Sequence, residues 1–274
     1  MGFNISVVES GSNYIKILFD GVPLQLINAI RRAALAEVPS IAIDEVIFID
    51  NTSALYDEII AHRLGLIPFT SDEAIEKYKA PEECAECKEA EGCEGCYAII
   101  TLDVSAKDDM LTVYSRDLIP HDPSIKPVNP DIPIVVLAPG QRLAFEARAR
   151  LGRGKEHIKW SPATVANITY LAKISVDGNR CNLCGKCIST CPRKVFNLTS
   201  KGIEFDEGRC ILCRQCVKVC DQEAIELGWH DGKYMLYIES SGALSPERIF
   251  SEALKIIVNK LRSVYEEIDK FGGS

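Results

Sequence analysis

Alternating apolar and polar positions open the chain. Residues 4–9 and 14–19 alternate on either side of a Gly-containing polar turn, which predicts a pair of strands. Pro23 then suits a first helical turn, and Leu24, Ile27, Ile30, Ala34 and Val38 recur at helical spacing until Pro39. A strand-like run covers 41–49, and residues 55–69 read as a short helix ending near Gly65 and Pro68. Between 120 and 139 stand six prolines, at 120, 123, 127, 130, 133 and 139, which predict an extended connection, neither helix nor central strand. Strand patterns resume at 143–151 and 168–176, and residues 195–206 (VFNLTSKGIEFD) read as a short hairpin turning near Lys201-Gly202.

The C-terminus gives the clearest helix. Ser245 is placed to cap it, Pro246 suits the first helical position, and the pattern runs towards Lys270. Phe250, Leu254, Ile257, Leu261, Val264 and Ile268 fall at alternating steps of four and three, and Ile256 and Val258 widen the apolar surface beyond that seam. A helix apolar on more than one side predicts burial against a partner chain; a core-facing helix is the simpler alternative.

Composition narrows the classes. The 274 residues suffice for one large domain or two to three small ones. No apolar run is long enough to span a bilayer, and the start, MGFNIS, lacks a secretory pattern. MGFNIS fits the myristoylation motif, but the strand-like alternation over 3–9 marks that match as coincidence. A net charge of −8 argues against nucleic acid as the main partner. The densest basic cluster, Arg142, Arg148, Arg150, Arg153, Lys155 and Lys159, reads as a solvated or partner-facing surface. Twelve cysteines without a secretion signal, gathered in three groups at metal-ligand spacing, point to a reducing cytoplasm and to metal chemistry.

Two of those groups form an internal repeat. RCNLCGKCISTCPRKVFNL, from Arg180, aligns with RCILCRQCVKVCDQEAIEL, from Arg209, through all four cysteines, the arginine before them and two leucines. Each reads C-x2-C-x2-C-x3-C, in which three close thiolates wrap three corners of a cuboidal iron–sulfur cluster and the fourth ligand comes from the other run. By that rule Cys181, Cys184, Cys187 and Cys220 hold one cluster, and Cys210, Cys213, Cys216 and Cys191 hold the second. Both are expected as 4Fe-4S. The second run ends in Cys220-Asp221 where the first has Cys191-Pro192, which leaves a 3Fe-4S form or loss of the cluster bound by Cys220 open. The third group, Cys84, Cys87, Cys93 and Cys96 in PEECAECKEAEGCEGCY, makes two CxxC knuckles suited to a structural zinc. Free thiols or disulfides in a glutamate-rich loop are the alternative.

No catalytic constellation accompanies these groups. Histidines stand apart at 62, 121, 157 and 230, and there is no phosphate-binding glycine loop, nucleophile elbow or Asp-x-Asp metal triplet.

Three further segments, NAIRRAALAEVPSIAI at 28–43, LYDEIIAHRLGLIPF at 55–69 and SGALSPERIFSEALKII at 241–257, resemble the D-subunit family of archaeal DNA-directed RNA polymerase. That family is related to the amino-terminal region of bacterial alpha and to the third-largest eukaryotic subunit. The resemblance covers essentially the whole chain and implies an α+β fold. A discontinuous alpha-like dimerisation domain (1–40, 155–176 and 226–274) would be interrupted by a mixed α/β domain (41–154) with the four-Cys loop, and by a ferredoxin-like iron–sulfur domain (177–225). It implies a non-catalytic subunit of a nucleotidyltransferase complex. Such a subunit pairs with the small L subunit of RNA polymerase through its helices, then receives the small N and P subunits and the large catalytic subunits. Arg31 and Arg32 match the family's helix near the large subunits; a solvated face is their simpler reading. The clusters would be folding cross-links first, with assembly open to control by oxygen or iron. A ferredoxin-type electron-transfer subunit of a redox enzyme would use the same eight cysteines, although no flavin or nicotinamide motif accompanies them.

Overall fold

The computed structural model describes residues 2–85, 95–200 and 202–272, and the side chains of all but residues 85, 271 and 272 among them. Strand β1 (Asn4–Ser10) is exposed along its whole length, whereas β2 (Tyr14–Asp20) buries every second residue, Ile15, Ile17 and Phe19. Helix α1 (Leu24–Ala36) starts just after Pro23, whose carbonyl accepts from Leu26 and Ile27, and it buries Ile27, Ile30, Ala33 and Ala34 along one face. Then come β3 (Pro39–Asn51), α2 (Asp57–Gly65), α3 (Ala74–Lys77), α4 (Pro81–Ala85), β4 (Ala98–Ser105), β5 (Leu111–Tyr114), β6 (Ile119–Pro120), β7 (Pro133–Leu137), β8 (Arg142–Arg153) and β9 (Ala163–Val176). The cysteine-rich part holds α5 (Lys186–Thr190), β10 (Phe196–Thr199), β11 (Gly202–Phe205) and α6 (Gln215–Lys218), and the chain closes with β12 (Ile225–Ser240) and α7 (Pro246–Gly272).

The chain divides into two compact units. The first comprises Met1–Ser10, Lys16–Asn28 and Asn167–Tyr237. Its main sheet has the order β1-β2-β12-β9, and β10 and β11 form a separate hairpin in which Phe196 faces Phe205 and Thr199 faces Gly202. Lys201, expected near that turn, lies outside the described residues. Gly232, within β12, stands at φ +74°, a conformation open to glycine, and its carbonyl accepts from the Gly21 N–H (3.0 Å). Ala172 and Ile174 of β9, Ile225 of β12 and Val195 and Phe196 share one apolar cluster with Cys187 and Cys216.

The second unit comprises Gly11–Ile15, Ala29–Ala166 and Ile238–Ser274. Its four-stranded sheet has the order β3-β8-β4-β6, with β5 and β7 paired beside it. Phe145 on β8 stands opposite Phe48 on β3 and Leu102 on β4, so the inward faces stack into a core with Ile60, Leu64 and Phe69. The proline-rich stretch is not wholly a connection. Ile119–Pro120 and Pro133–Leu137 are strands, because each proline sits where no ladder bond from its nitrogen is needed.

The basic cluster is spent within this unit. Arg142 reaches Asp50 and Asp103, Arg148 reaches Glu45 and Glu146, Arg150 reaches Asp44 and Glu156, Arg153 reaches Glu82, and Lys159 reaches Asp44. Asp44 accepts from Arg150 Nε and Lys159 Nζ, each at 2.7 Å, and both cations stand 4.2 Å from the Trp160 ring. What reads in sequence as a basic surface is, apart from exposed Lys155, a row of intramolecular ion pairs.

Helix α7 is capped by Ser245, whose Oγ accepts from the Arg248 N–H (3.2 Å). Its first turns bury Ile249 and Ala253 completely, and Phe250, Leu254 and Ile257 are half-buried. From Val258 to residue 270 every residue is exposed, including Leu261 (63%), Val264 (57%), Tyr265 (70%) and Ile268 (64%). On α1, Arg31 is half-buried and Arg32 exposed.

Candidate metal centres

Each four-cysteine run folds as a tight loop followed by about one turn of helix, and the loop depends on left-handed backbone. Leu183 (φ 57°) and Gly185 (73°) in the first run match Leu212 (56°) and Arg214 (60°) in the second; Lys194 (50°) and Glu223 (47°) match after the fourth cysteines. Each pair is separated by the same interval as Cys181 and Cys210. A non-glycine residue in this region costs on the order of 1–2 kcal/mol, and the repeat carries it five times. Such strain persists only where the surroundings over-determine it.

The bends turn backbone N–H groups towards sulfur. Val195 donates to Cys191 Sγ (3.4 Å), and its counterpart Ala224 donates to Cys220 Sγ (3.3 Å). Leu212 donates to Cys210 Sγ (3.5 Å). N–H groups aimed at sulfur in this way are the outer contacts that orient metal-ligating cysteines.

The eight free cysteines gather around two cavities within the first unit. Cys181, Cys184, Cys187 and Cys220 line one, with about 390 Å³ of atom-free space. Cys191, Cys210, Cys213 and Cys216 line the other, with about 310 Å³. Three sulfurs of each set come from one run and the fourth from its sister. In both sets one cysteine is buried (Cys187, Cys216), one exposed (Cys184, Cys213) and two are intermediate. Burial first, then neighbouring cysteines, push the thiols of Cys187 and Cys216 up, and burial does the same to Cys210. Without a cation these sulfurs keep their protons, so metal binding must displace them. Among the described residues no group of three or more His, Cys, Asp or Glu closes to single-ion geometry. Four cysteines lining one cavity, three from one run and one from its sister, suit a polynuclear cluster, and the residues present fit that group.

The sequence concealed several supports. Lys186 of the first run is ion-paired with Asp221 of the second, at the wall of the first cavity, and this partner holds the lysine pKa above its usual value. The aligned counterparts are Gln215 and Pro192, so a paired swap between the repeats was the available signal. Glu207, just before the second run, accepts from the Ile174 N–H (2.7 Å) and faces His230 Nε2 (2.8 Å).

Cys84 and Cys96 are joined by a disulfide, with a Cα–Cα distance of 5.7 Å. Cys87 and Cys93, the inner pair of the expected zinc knuckles, lie outside the described residues. His62 and His157 line a surface hollow with Asp44 and Lys159, no nucleophile among them, and His121 and His230 lie elsewhere.

Comparison with known proteins agrees with both parts of this architecture. Residues 41–179 match the RNA polymerase Rpb3/RpoA insert domain, and residues 171–225 match the 4Fe-4S dicluster domain. The DNA-directed RNA polymerase subunit Rpo3 of Aeropyrum pernix is 38% identical over 275 residues, covering 98% of this chain and 96% of the relative. The proteins of the same name from Methanothermobacter thermautotrophicus and Pyrobaculum aerophilum are 39% and 37% identical, covering 95% and 96% of this chain and 97% and 95% of theirs. The chain therefore belongs to the family of DNA-directed RNA polymerase subunit Rpo3, the archaeal D-subunit family, whose members are non-catalytic assembly subunits of the polymerase.

Proposed function

We propose that this chain is the cytoplasmic platform on which the polymerase is built, and that it pairs first with the small L subunit through α7. The single observation carrying this reading is the uncovered apolar side of α7: Val258, Leu261, Val264, Tyr265 and Ile268. A 27-residue helix whose apolar packing ends at Ile257, with the Lys260–Glu37 ion pair just beyond, would not keep five large apolar side chains in water without a partner. Phe250, Leu254 and Ile257 continue the seam towards the anchored end. Arg31 and Arg32 on α1 serve contacts with the large subunits, and the small N and P subunits join afterwards. Among the described residues no helix is long and apolar enough to cross a membrane.

In this reading Cys181, Cys184, Cys187 and Cys220 ligate one 4Fe-4S cluster and Cys191, Cys210, Cys213 and Cys216 a second. The clusters supply multi-point cross-links. A cysteine-rich segment of this size builds little apolar core of its own, so the cross-links hold α5, α6 and the β10-β11 hairpin against the ends of β9 and β12. The two cavities and their crossed cysteine sets support this assignment. In the reduced chain Cys84, Cys87, Cys93 and Cys96 hold zinc. Co-expression with the L subunit, followed by anaerobic purification and iron, sulfide and zinc analysis, tests the whole reading. A 1:1 complex containing iron and sulfide is expected. A chain that stays alone, or one that pairs fully without iron, overturns the corresponding half.

A further inference from the structure

The internal repeat relates the two cavities, so each wall position of one has a counterpart in the other. The cysteines correspond in burial, and the charged positions do not. Gly185 at the first cavity becomes Arg214 at the second, and Gln222 becomes Arg193. Lys186 and Asp221, paired with each other at the first, become Gln215 and Pro192 at the second. The lining of the first cavity thus carries one cation and one anion in contact, and that of the second carries two guanidinium groups and no carboxylate. Just outside, Asp177 of the first site is paired with the Arg180 guanidinium, whereas Glu207 of the second site bonds His230 and the Ile174 N–H and keeps its negative charge, so the second site retains a surplus of one positive charge from its two arginines.

The reduction potential of an iron–sulfur cluster follows cluster type, net charge, hydrogen bonds to sulfur and solvent exposure. Ligand type and cysteine exposure match between the two sites, while backbone N–H groups donate to two sulfurs of the second set, Cys191 and Cys210, and to one of the first, Cys220. Charge at the wall separates them further, in the same direction as the extra N–H donor. Building on the ligand sets proposed above, we infer that the cluster held by Cys191, Cys210, Cys213 and Cys216 is the more easily reduced of the two, because Arg193 and Arg214 offset its added negative charge. Reduction transfers one electron from a reductant such as dithionite to the cluster; no bond to protein breaks and no proton moves. The first electron therefore resides at the second site. Because both arginines are exposed, the difference narrows as salt rises.

The test is a redox titration of the anaerobically purified full chain with dithionite, followed by electron paramagnetic resonance, with iron and sulfide measured on each sample. Two separated one-electron waves are expected. Arg193→Gln and Arg214→Gly, which install the first site's residues, move only the upper wave to lower potential, and Gln222→Arg raises only the lower wave. Coincident waves in the unmodified chain, or an upper wave unmoved by both arginine changes, overturn the inference while leaving the ligand sets intact. Iron and sulfide for fewer than two clusters overturn the ligand reading and the inference with it. Should Arg214→Gly fail to load, Arg193→Gln and Gln222→Arg decide the question, since both change exposed side chains with ordinary backbone.

Discussion

Nε2 of His230 lies 2.8 Å from Oε2 of Glu207, and the other oxygen of the same carboxylate accepts the backbone N–H of Ile174. One side chain therefore ties the entrance of the second cysteine run to both long strands of its sheet, β9 and β12. Glu207→Ala removes both contacts and leaves the Ile174 N–H without its acceptor. The expected loss is about 1–3 kcal/mol, read by anaerobic urea unfolding, with faster iron release. Glu207→Gln, which keeps an acceptor, should recover most of it. Equal losses in the two variants would show that the carboxylate acts through charge alone.

Gly185 stands at φ +73° with nothing within 4 Å of the position a Cβ would occupy. Gly185→Ala therefore adds backbone strain without overlap with any other protein atom. It should cost about 1 kcal/mol, whereas Gly178→Ala, with equally open surroundings and no left-handed φ, should stay within about 0.5 kcal/mol. The comparison is made by denaturant midpoints of the cluster-loaded chain.

Asp122 accepts from Lys77 Nζ (2.5 Å), the Tyr78 hydroxyl (2.9 Å) and Ser124, and these bonds, Lys77 foremost, hold its carboxyl well below the usual range. A carboxyl depressed in the folded state stabilises above its unfolded value of about 3.9 and loses that contribution as pH falls through the folded value. The slope of unfolding free energy against pH below about pH 4 should thus be steeper in the natural chain than in Asp122→Asn. Identical slopes would remove Asp122 from the account of acid sensitivity.

Much of this was legible in the sequence, and the misses have physical causes. The cysteine repeat announced two sites because ligand spacing survives any fold. The left-handed residues did not, since Leu183, Lys194, Leu212, Arg214 and Glu223 belong to types that rarely adopt positive φ. β12 was missed because Gly228, His230, Asp231 and Gly232 interrupt its alternation, and Gly232 sits in it at a positive φ. β4 and β5 passed unassigned, and β7 hid behind Pro133, which is tolerated as a first strand residue. The ion pairing of the basic stretch on β8 was not legible because, Glu146 and Glu156 apart, its acidic partners, Asp44, Glu45, Asp50, Glu82 and Asp103, come from β3, α4 and β4, distant in sequence. The C-terminal seam reads as uniform in sequence, yet half of it packs at home and half stands in solvent.

That exposed half supports the central claim, and Leu261→Glu with Val264→Glu tests it most directly. Both residues are more than half exposed, so the isolated chain should keep its fold and iron content, with changes within about 0.5 kcal/mol per site. Affinity for the L subunit, measured by titration of the purified partners, should fall by a hundredfold or more, about 2.7 kcal/mol. Undiminished affinity in the double variant would contradict the account.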